Sequence, residues 1–174
     1  VLLAGCATVT PDGGLSQVGD LTQGKTAGVD AALARGPTAQ TQQAVAALLA
    51  QPVTAEPAVR IALLNNPQLH ASMAALGISD AERVQAGRLP NPHFSMLRAS
   101  KAEEGGREYK IEQALTFNVF ALITMPLAVQ VEQRRFEQTQ RLAAIEVVRV
   151  ATEAREAYFS AVAAEESVRY LRKV

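Results

Sequence analysis

The chain has little of several features that mark common classes of protein. Its 174 residues include one cysteine and no tryptophan, and aromatic residues make up only 5%. One cysteine excludes an internal disulfide framework. The 17 basic and 17 acidic residues balance, which argues against an electrostatic nucleic-acid binder, because such a surface needs a basic surplus. No apolar run approaches the roughly 18 to 20 residues that a membrane-spanning helix needs.

Catalytic and metal-binding patterns are also missing from the sequence. His70 and His93 are far apart and have no cysteine, aspartate or glutamate at metal-ligand spacing. No phosphate-binding loop, zinc-protease or serine-hydrolase motif occurs. Gly105-Gly106 is more simply a turn than a phosphate cradle, and Glu103-Glu104 is more simply a solvated pair than an acid–base dyad. The sequence therefore predicts no catalytic, cofactor-binding or metal site, and we do not expect an enzyme.

The amino terminus does carry a motif, which ends at Cys6. The string Val1-Leu2-Leu3-Ala4-Gly5-Cys6 resembles a bacterial lipobox, in which apolar and small residues precede an obligatory cysteine. The thiol of Cys6 would receive the lipid, and residues 1–6 would be the remnant of a lipoprotein signal peptide. Position 7 is alanine rather than the aspartate that retains lipoproteins in the inner membrane, which indicates the outer membrane. The alternative is a buried free cysteine near a frayed end.

An arm and three helices are predicted to follow. Residues 7–40 contain several glycines and little periodicity, which indicates an extended polar arm. Apolar spacing then predicts helices over residues 41–50, 55–65 and 67–88. The break before Pro67 is expected because the residue before a proline avoids helical angles. The third helix has a bulky apolar stripe, Leu69, Met73 and Leu76, and a second stripe of mostly smaller residues, Ala71, Ala74, Ile78 and Ala81.

Period-two alternation predicts a β-hairpin in the middle of the chain, with strands over residues 91–100 and 108–119. Phe94 and Met96 alternate with polar neighbours in the first strand, and Tyr109 and Ile111 do so in the second. Each arm has about ten residues, the length of a membrane-spanning strand. The alternation suits a strand with lipid outside and water inside. A half-buried hairpin of a water-soluble domain gives the same pattern, so the residues leave both readings open.

The last element is predicted to be one very long helix over residues 126–174, with Pro126 in its first turn. At about 1.5 Å per residue it would be roughly 73 Å long. Arg155 is predicted to lie on the more solvent-exposed face of this helix. A seam of apolar residues follows steps of four and three, as in a coiled coil: Ala143, Val147, Val150, Ala154, Ala157, Ala161, Ala164, Val168 and Leu171. A second stripe faces another way: Leu142, Ile145, Val148, Phe159 and Val162. Two stripes indicate two neighbouring helices, as in a closed ring.

The order of these elements, with four local strings, resembles the first structural half of the TolC family of outer-membrane efflux proteins. The strings are AVRIALLNNP from Ala58, AALGISDAERVQAGRLPNP from Ala74, LTFNVFALITMPL from Leu115 and EVVRVATEAREAYFSAVAAE from Glu146. The resemblance covers residues 41–174 and the lipobox. It implies a mainly α fold with a β-hairpin, in which long antiparallel coiled-coil helices form a periplasmic α-barrel and two strands join a trimeric outer-membrane β-barrel. The family has two such repeats, so we expect this chain, which carries one, to be truncated.

The same resemblance implies a function. The chain would be part of a homotrimeric, lipid-anchored channel in the bacterial outer membrane that conducts small molecules or ions passively from the periplasm to the outside. A periplasmic adaptor (membrane fusion protein) and an inner-membrane transporter would be its partners, with outer-membrane lipid around the strands and with no cofactor or nucleic acid. The residues leave a second function open, a periplasmic coiled-coil lipoprotein with a scaffolding or adaptor role. That alternative explains Cys6 and the long helix but not the hairpin.

Overall fold

The computed structural model describes residues 8–26, 36–103 and 106–173. Within them the chain is mainly helical and has one two-stranded antiparallel sheet, so the mainly α class with a β-hairpin is confirmed. The elements are α1 Leu15–Thr22, α2 Ala39–Leu49, α3 Ala55–Asn65, α4 Pro67–Ala86, β1 His93–Glu103, β2 Gly106–Thr116 and α5 Val119–Leu171. Across the described residues, none of the helices has an apolar stretch long enough to cross a lipid bilayer.

Local capping sets where α2 and α4 begin. Asn66 accepts a hydrogen bond from the Leu69 N–H at 2.9 Å, and Pro67 occupies the first turn of α4. These two residues keep α3 and α4 apart although only one residue lies between them. α2 begins at residue 39 rather than 41 because Thr38 and Thr41 form a reciprocal capping box. Such a cap satisfies backbone N–H groups that the first helical turn leaves unpaired.

A helix interrupts the predicted extended arm, so that prediction was wrong for residues 15–22. The Asp12 carboxylate caps α1 by accepting hydrogen bonds from the backbone N–H of Ser16 at 2.6 Å and of Gly14 at 3.1 Å. These hydrogen bonds, led by those from Ser16, lower the pKa of Asp12 to about 2. Val18 is fully buried in the core. So short a helix depends on tertiary packing for its stability, which local periodicity does not report.

The long helix α5 begins at Val119, ahead of the predicted start at Pro126. Asn118 caps it by accepting a backbone hydrogen bond at 2.9 Å, and β2 ends at Thr116. The predictions that the strand continues to residue 119 and that Pro126 opens the helix were therefore wrong. Pro126 lies inside the helix, where it has no N–H for the Leu122 carbonyl. The cap at Asn118 and the apolar residues that follow it stabilise the first turns of α5 by more than the missing hydrogen bond at Pro126 destabilises them.

One apolar core lies between the middle of α5 and the helices α1, α3 and α4. The bulky stripe of α4, Leu69, Met73 and Leu76, is buried almost completely. Ser79 of α4 lies beside Thr139 of α5, with their hydroxyl oxygens 3.5 Å apart. The contribution of α5 contains three alanines, which allow a close helix approach: Phe136, Ala143, Ala144, Val147, Val150 and Ala151.

The seam predicted on α5 divides into a covered and an uncovered part. Ala143, Val147 and Val150 are buried, and Ala154 packs against the edge of the core. From Ala157 to Leu171, every side chain except the half-buried Tyr158 is exposed. Arg155, predicted on the wetter face, is half-buried whereas Ala157 is exposed. That part of the prediction was wrong, because Arg155 lines a groove with Lys25 and Thr26, whereas the described residues leave Ala157 uncovered.

Candidate membrane-facing hairpin

The hairpin of β1 and β2 has two faces of different chemistry. The register pairs Phe94 with Leu115 and Arg98 with Ile111. Successive side chains point to opposite faces, and directly paired residues share a face. The apolar face carries Phe94, Met96, Tyr109, Ile111 and Leu115, with Arg98 and Gln113 among them. The polar face carries His93, Ser95, Lys101, Lys110, Glu112 and Thr116, with Leu97 among them.

Both faces of the hairpin are open to the surroundings. Every side chain of β1 and β2 that the structure describes is exposed, including Phe94 at 62%, Met96 at 63% and Leu115 at 71%. The apolar face of a water-soluble hairpin is covered by its own domain, and an isolated two-stranded hairpin is at best marginally stable in water. No described helix covers this apolar face.

The length of the hairpin fits a bilayer. Each strand has 11 residues, or about 36 Å at roughly 3.3 Å per residue. A strand tilted by about 45° then rises through roughly 25 Å, the height of the apolar band on a membrane β-barrel. The observed strands therefore reach further than the predicted arms, which ended at residue 100 and began at residue 108.

Arg98 is the one charge near the middle of the apolar face. Its guanidinium carbon lies 5.2 Å from the centre of the Tyr109 ring, a cation–π contact. An arginine on the lipid side of a barrel costs about 2–4 kcal/mol at the bilayer midplane but only about 0–1 near an interface. Tyr109 pairs with Ser100, nearer the turn. The arginine stem can therefore lie along the apolar face while its charge is directed towards the turn of the hairpin.

Among the described residues no further strand pairs with the two outer edges of the hairpin, since the sheet there consists of β1 and β2. Each edge presents a row of backbone N–H and C=O groups. In lipid, every such group has to find a protein partner, which only a closed barrel provides for strands. In lipid, the hairpin by itself would therefore leave these backbone groups without partners.

Exposed apolar residues continue from the hairpin into the first turns of α5. Phe117, Phe120, Ile123 and Leu127 are between 46% and 76% exposed. Phe120, Ile123 and Leu127 recur at helical spacing, so they form one stripe on α5. The start of α5 therefore carries exposed apolar side chains, as the hairpin before it does.

A buried carboxylate attaches the amino-terminal segment to the helical bundle. The Asp80 side chain is fully buried. Its Oδ2 accepts hydrogen bonds from the Thr10 backbone N–H at 2.7 Å and the Thr10 hydroxyl at 2.6 Å. Its Oδ1 accepts from Arg83 Nε at 3.0 Å and Nη2 at 2.6 Å. We call these three residues the arm clamp. Burial alone would raise the pKa of Asp80, but the hydrogen bonds from Thr10 and Arg83 outweigh it and lower that pKa.

Phe136 of α5 forms the floor of the arm clamp. The Arg83 guanidinium lies 5.7 Å from the centre of the Phe136 ring and also donates to the Thr8 carbonyl oxygen at 3.3 Å. On the other side, Gly14 approaches the same ring so closely that a Cβ at Gly14 would lie 2.8 Å from Phe136 Cζ. The arm is therefore held by polar contacts at residues 8–10 and by close packing at residue 14.

The residues singled out in the sequence are not brought together. Cys6 lies outside the described residues. His70 Nε2 is 3.0 Å from the Leu64 carbonyl oxygen on the bundle, whereas His93 is exposed at the start of β1. No group of three or more histidine, cysteine or acidic side chains that could hold a metal ion is present in the described residues.

The arm clamp was missed at the level of sequence, although one signal for Asp80 existed. Leu69, Met73 and Leu76 follow the inner stripe of α4, and the next position on that stripe is Asp80. An acidic residue in an otherwise apolar stripe indicates a buried charge that needs a partner. Arg83 on the next turn was available, but nothing local pointed to Thr10, which is 70 residues away.

No family model, curated protein or solved structure matches the chain.

Proposed function

We propose that this chain forms part of a trimeric outer-membrane channel that resembles the TolC family. Its hairpin would supply two strands to a shared β-barrel, and its long helices would line a periplasmic tunnel. The channel would conduct small molecules or ions passively, while a periplasmic adaptor and an inner-membrane transporter supply the energy and open the tunnel. Cys6 would carry the lipid that anchors the protein in the outer membrane.

The observation that carries this proposal is the open apolar face of the hairpin. Three residues of this face, Phe94, Met96 and Leu115, are more than 60% exposed. Exposure of apolar surface to water costs about 25 cal/mol of free energy per Å². Contact of the same face with lipid removes that cost. The opposite face, which carries Lys101, Lys110 and Glu112, suits a water-filled lumen. A half-buried soluble hairpin would need a cover, and the described part of the chain offers none.

The uncovered end of α5 supports the same proposal. Beyond residue 156, the described part of the chain leaves uncovered the apolar side chains at coiled-coil spacing, Ala157, Ala161, Ala164, Val168 and Leu171, which are all exposed. A helix in water takes most of its stability from tertiary packing. Further helices, from other parts of the complete protein or from other protomers, would cover this seam in a tunnel wall.

The topology of the hairpin can be tested with two cysteine variants of the complete protein. Arg107→Cys, at the turn end of β2, is expected to react with a membrane-impermeant maleimide on intact cells. Ser160→Cys, exposed on α5, is expected to react only after the outer membrane is permeabilised. The parent protein, in which an acylated Cys6 has no free thiol, gives the background. Equal reactivity of both variants on intact cells, or none at Arg107→Cys until permeabilisation, contradicts the proposal.

Acylation of Cys6 is a separate prediction. In the complete precursor, Cys6→Ser is expected to abolish incorporation of a labelled fatty acid, because the thiol is the acceptor atom. The measurement is label in the purified protein. Label that persists at the parent level in Cys6→Ser would show that the lipobox interpretation is wrong.

A scaffolding lipoprotein of the periplasm is the competing function, and the long helix α5 is the observation that favours it. This alternative places both ends of the molecule in the periplasm. It therefore predicts that Arg107→Cys and Ser160→Cys both require permeabilisation. The two-cysteine experiment separates the two functions in one measurement.

A further inference from the structure

Two arginines lie on the apolar face of the hairpin, between its middle and the turn. Arg98 shares that face because the register pairs it with Ile111, and directly paired residues lie on the same face. Arg107 shares it because it is two positions from Tyr109 on β2, and alternate residues of a strand lie on one face. Ser100, which pairs with Tyr109, lies between the two arginines. This part of the face therefore combines two guanidinium groups with two hydroxyl groups.

The hairpin side chains that the structure describes do not neutralise the positive charge of these arginines. Among those side chains the one carboxylate is that of Glu112, which pairs with Leu97 and so lies on the polar face. Glu112 forms an ion pair there with Lys110, at 2.5 Å. Neither Arg98 nor Arg107 forms an ion pair with a described residue. The apolar face thus keeps a positive charge that an anion from outside the described residues can neutralise.

The depth of the two arginines fits the edge of a lipid layer. The guanidinium carbon of Arg98 is 5.2 Å from the centre of the Tyr109 ring, so this side chain is directed towards the turn. Two residues of a strand tilted by about 45° correspond to roughly 5 Å of depth, which the stem of an arginine spans. Tyrosine is enriched where the lipid headgroups begin. In a membrane, the charges of Arg98 and Arg107 would therefore both reach the level of the headgroups.

From this arrangement we propose that Arg98 and Arg107, together with the hydroxyl groups of Ser100 and Tyr109, bind the phosphate of an anionic lipid in the outer leaflet. The inference rests on the proposed function, because it needs the apolar face in lipid and the turn outside the cell. It adds to that function a lipid of stated chemistry, which is held at the outer end of the apolar face.

The chemistry of these side chains favours a lipid phosphate. A guanidinium presents its N–H donors in a planar fork that matches two oxygens of a phosphate, and such charge-assisted hydrogen bonds are stronger than neutral ones. The serine and tyrosine hydroxyls can donate to the remaining oxygens. A lipid bound in this way would also place its acyl chains against the apolar side chains of the same face, Phe94, Met96, Ile111 and Leu115. Free inorganic phosphate would gain only the polar contacts.

The test measures lipid binding by the complete protein in a neutral detergent. The probes are dioleoylphosphatidic acid, dioleoylphosphatidylcholine and inorganic phosphate. Native mass spectrometry counts the lipid bound to each protomer and gives the dissociation constant. Arg98→Gln and Arg107→Gln each remove one charge from the site, and either variant alone tests the proposal, because both arginines are exposed. Lys110→Gln, which removes an equal charge from the polar face, is the matched control.

We expect phosphatidic acid to bind more tightly than phosphatidylcholine, whose headgroup has no net charge, and to be displaced little by inorganic phosphate. Arg98→Gln and Arg107→Gln should each weaken the binding of phosphatidic acid by about fivefold, because a basic residue at a membrane surface contributes roughly 1 kcal/mol to the attraction of anionic lipid. Lys110→Gln should leave the dissociation constant unchanged.

Four results would overturn the inference. Equal binding of phosphatidic acid and phosphatidylcholine would exclude a site for an anionic lipid. An equal loss in Lys110→Gln would show that the net charge of the hairpin attracts the lipid, rather than this face. Displacement of the lipid by an equal concentration of inorganic phosphate would show a site for the free ion. A lower yield of trimer in Arg98→Gln, with lipid binding unchanged, would show that the arginine pairs with a neighbouring strand of the barrel.

Failure of this inference can be told apart from failure of the proposed function. If Arg107→Cys reacts with the impermeant maleimide only after permeabilisation, the turn is not outside the cell, and the channel proposal is contradicted whatever the lipid binding. If Arg107→Cys reacts on intact cells and Arg98→Gln binds phosphatidic acid as tightly as the parent protein does, only the lipid site is wrong.

Discussion

Replacing Leu76 with alanine is expected to lower the free energy of unfolding of this chain by about 2–5 kcal/mol. Leu76 is completely buried, in the middle of the stripe that α4 packs on α5. Removing its branched end takes away apolar burial and leaves a cavity that rigid neighbours fill only in part. Urea unfolding of the chain in mild detergent, followed by far-UV circular dichroism, measures the change.

Ile78 on the same helix is the matched control. It belongs to the other stripe of α4 and is 65% exposed, so Ile78→Ala is expected to change the free energy of unfolding by less than about 0.5 kcal/mol. A larger loss for Ile78→Ala than for Leu76→Ala would mean that the opposite face of α4 is the packed one, and that the arrangement of α4 on α5 is different.

The second large effect is expected at Gly14, where alanine should destabilise the chain by about 2–4 kcal/mol. The backbone of Gly14 has a φ of +87°, a left-handed conformation that strains any residue with a Cβ. The new methyl group would also lie 2.8 Å from Phe136 Cζ and 2.9 Å from Gln140 Nε2. Relief requires either movement of a buried ring or detachment of the arm. The midpoint of thermal unfolding should fall by several degrees.

Gly19 is the control position, where substitution by alanine is expected to raise stability rather than lower it. It lies inside α1, has a helical φ, and a Cβ there would meet nothing within 4 Å. Gly19→Ala is therefore expected to stabilise the chain by about 0.5–1 kcal/mol, because alanine loses less backbone entropy in a helix. If both substitutions shift the midpoint in the same direction, α1 is not held against α5 as described.

The parts of the fold that local sequence predicted well are those fixed by local physics. The break at Asn66-Pro67 depends on one cap and one proline, and both act within a single turn. The hairpin was visible because period-two alternation reports a sheet with unlike faces, and the register pairs Phe94 with Leu115 as that alternation requires. The inner stripe of α4 was likewise visible as helical spacing, and its three bulky residues are the buried ones.

The parts that local sequence did not predict depend on contacts between distant residues. α1 has eight residues and a glycine at its centre, so no window of sequence marks it as a helix. Asp80 bonds a residue 70 positions earlier, and only the folded chain brings the two together. The start of α5 was misplaced for a different reason, because Pro126 was given more weight than the cap at Asn118. The lipid at Cys6 and the barrel stay predictions.

The length of α5 has a consequence for how its two ends can influence each other. Its 53 residues extend for about 80 Å, twice the roughly 40 Å diameter of a compact domain of this chain length. In physiological salt, charges are screened beyond about 8 Å. The electrostatic field of an ion pair near the far end of α5, such as Arg169 with Glu166, is therefore screened out before it reaches the hairpin. Coupling between the two ends therefore requires a movement of the helix itself. Pro126, where one backbone hydrogen bond is absent, is the point at which α5 would bend instead of transmitting such a movement.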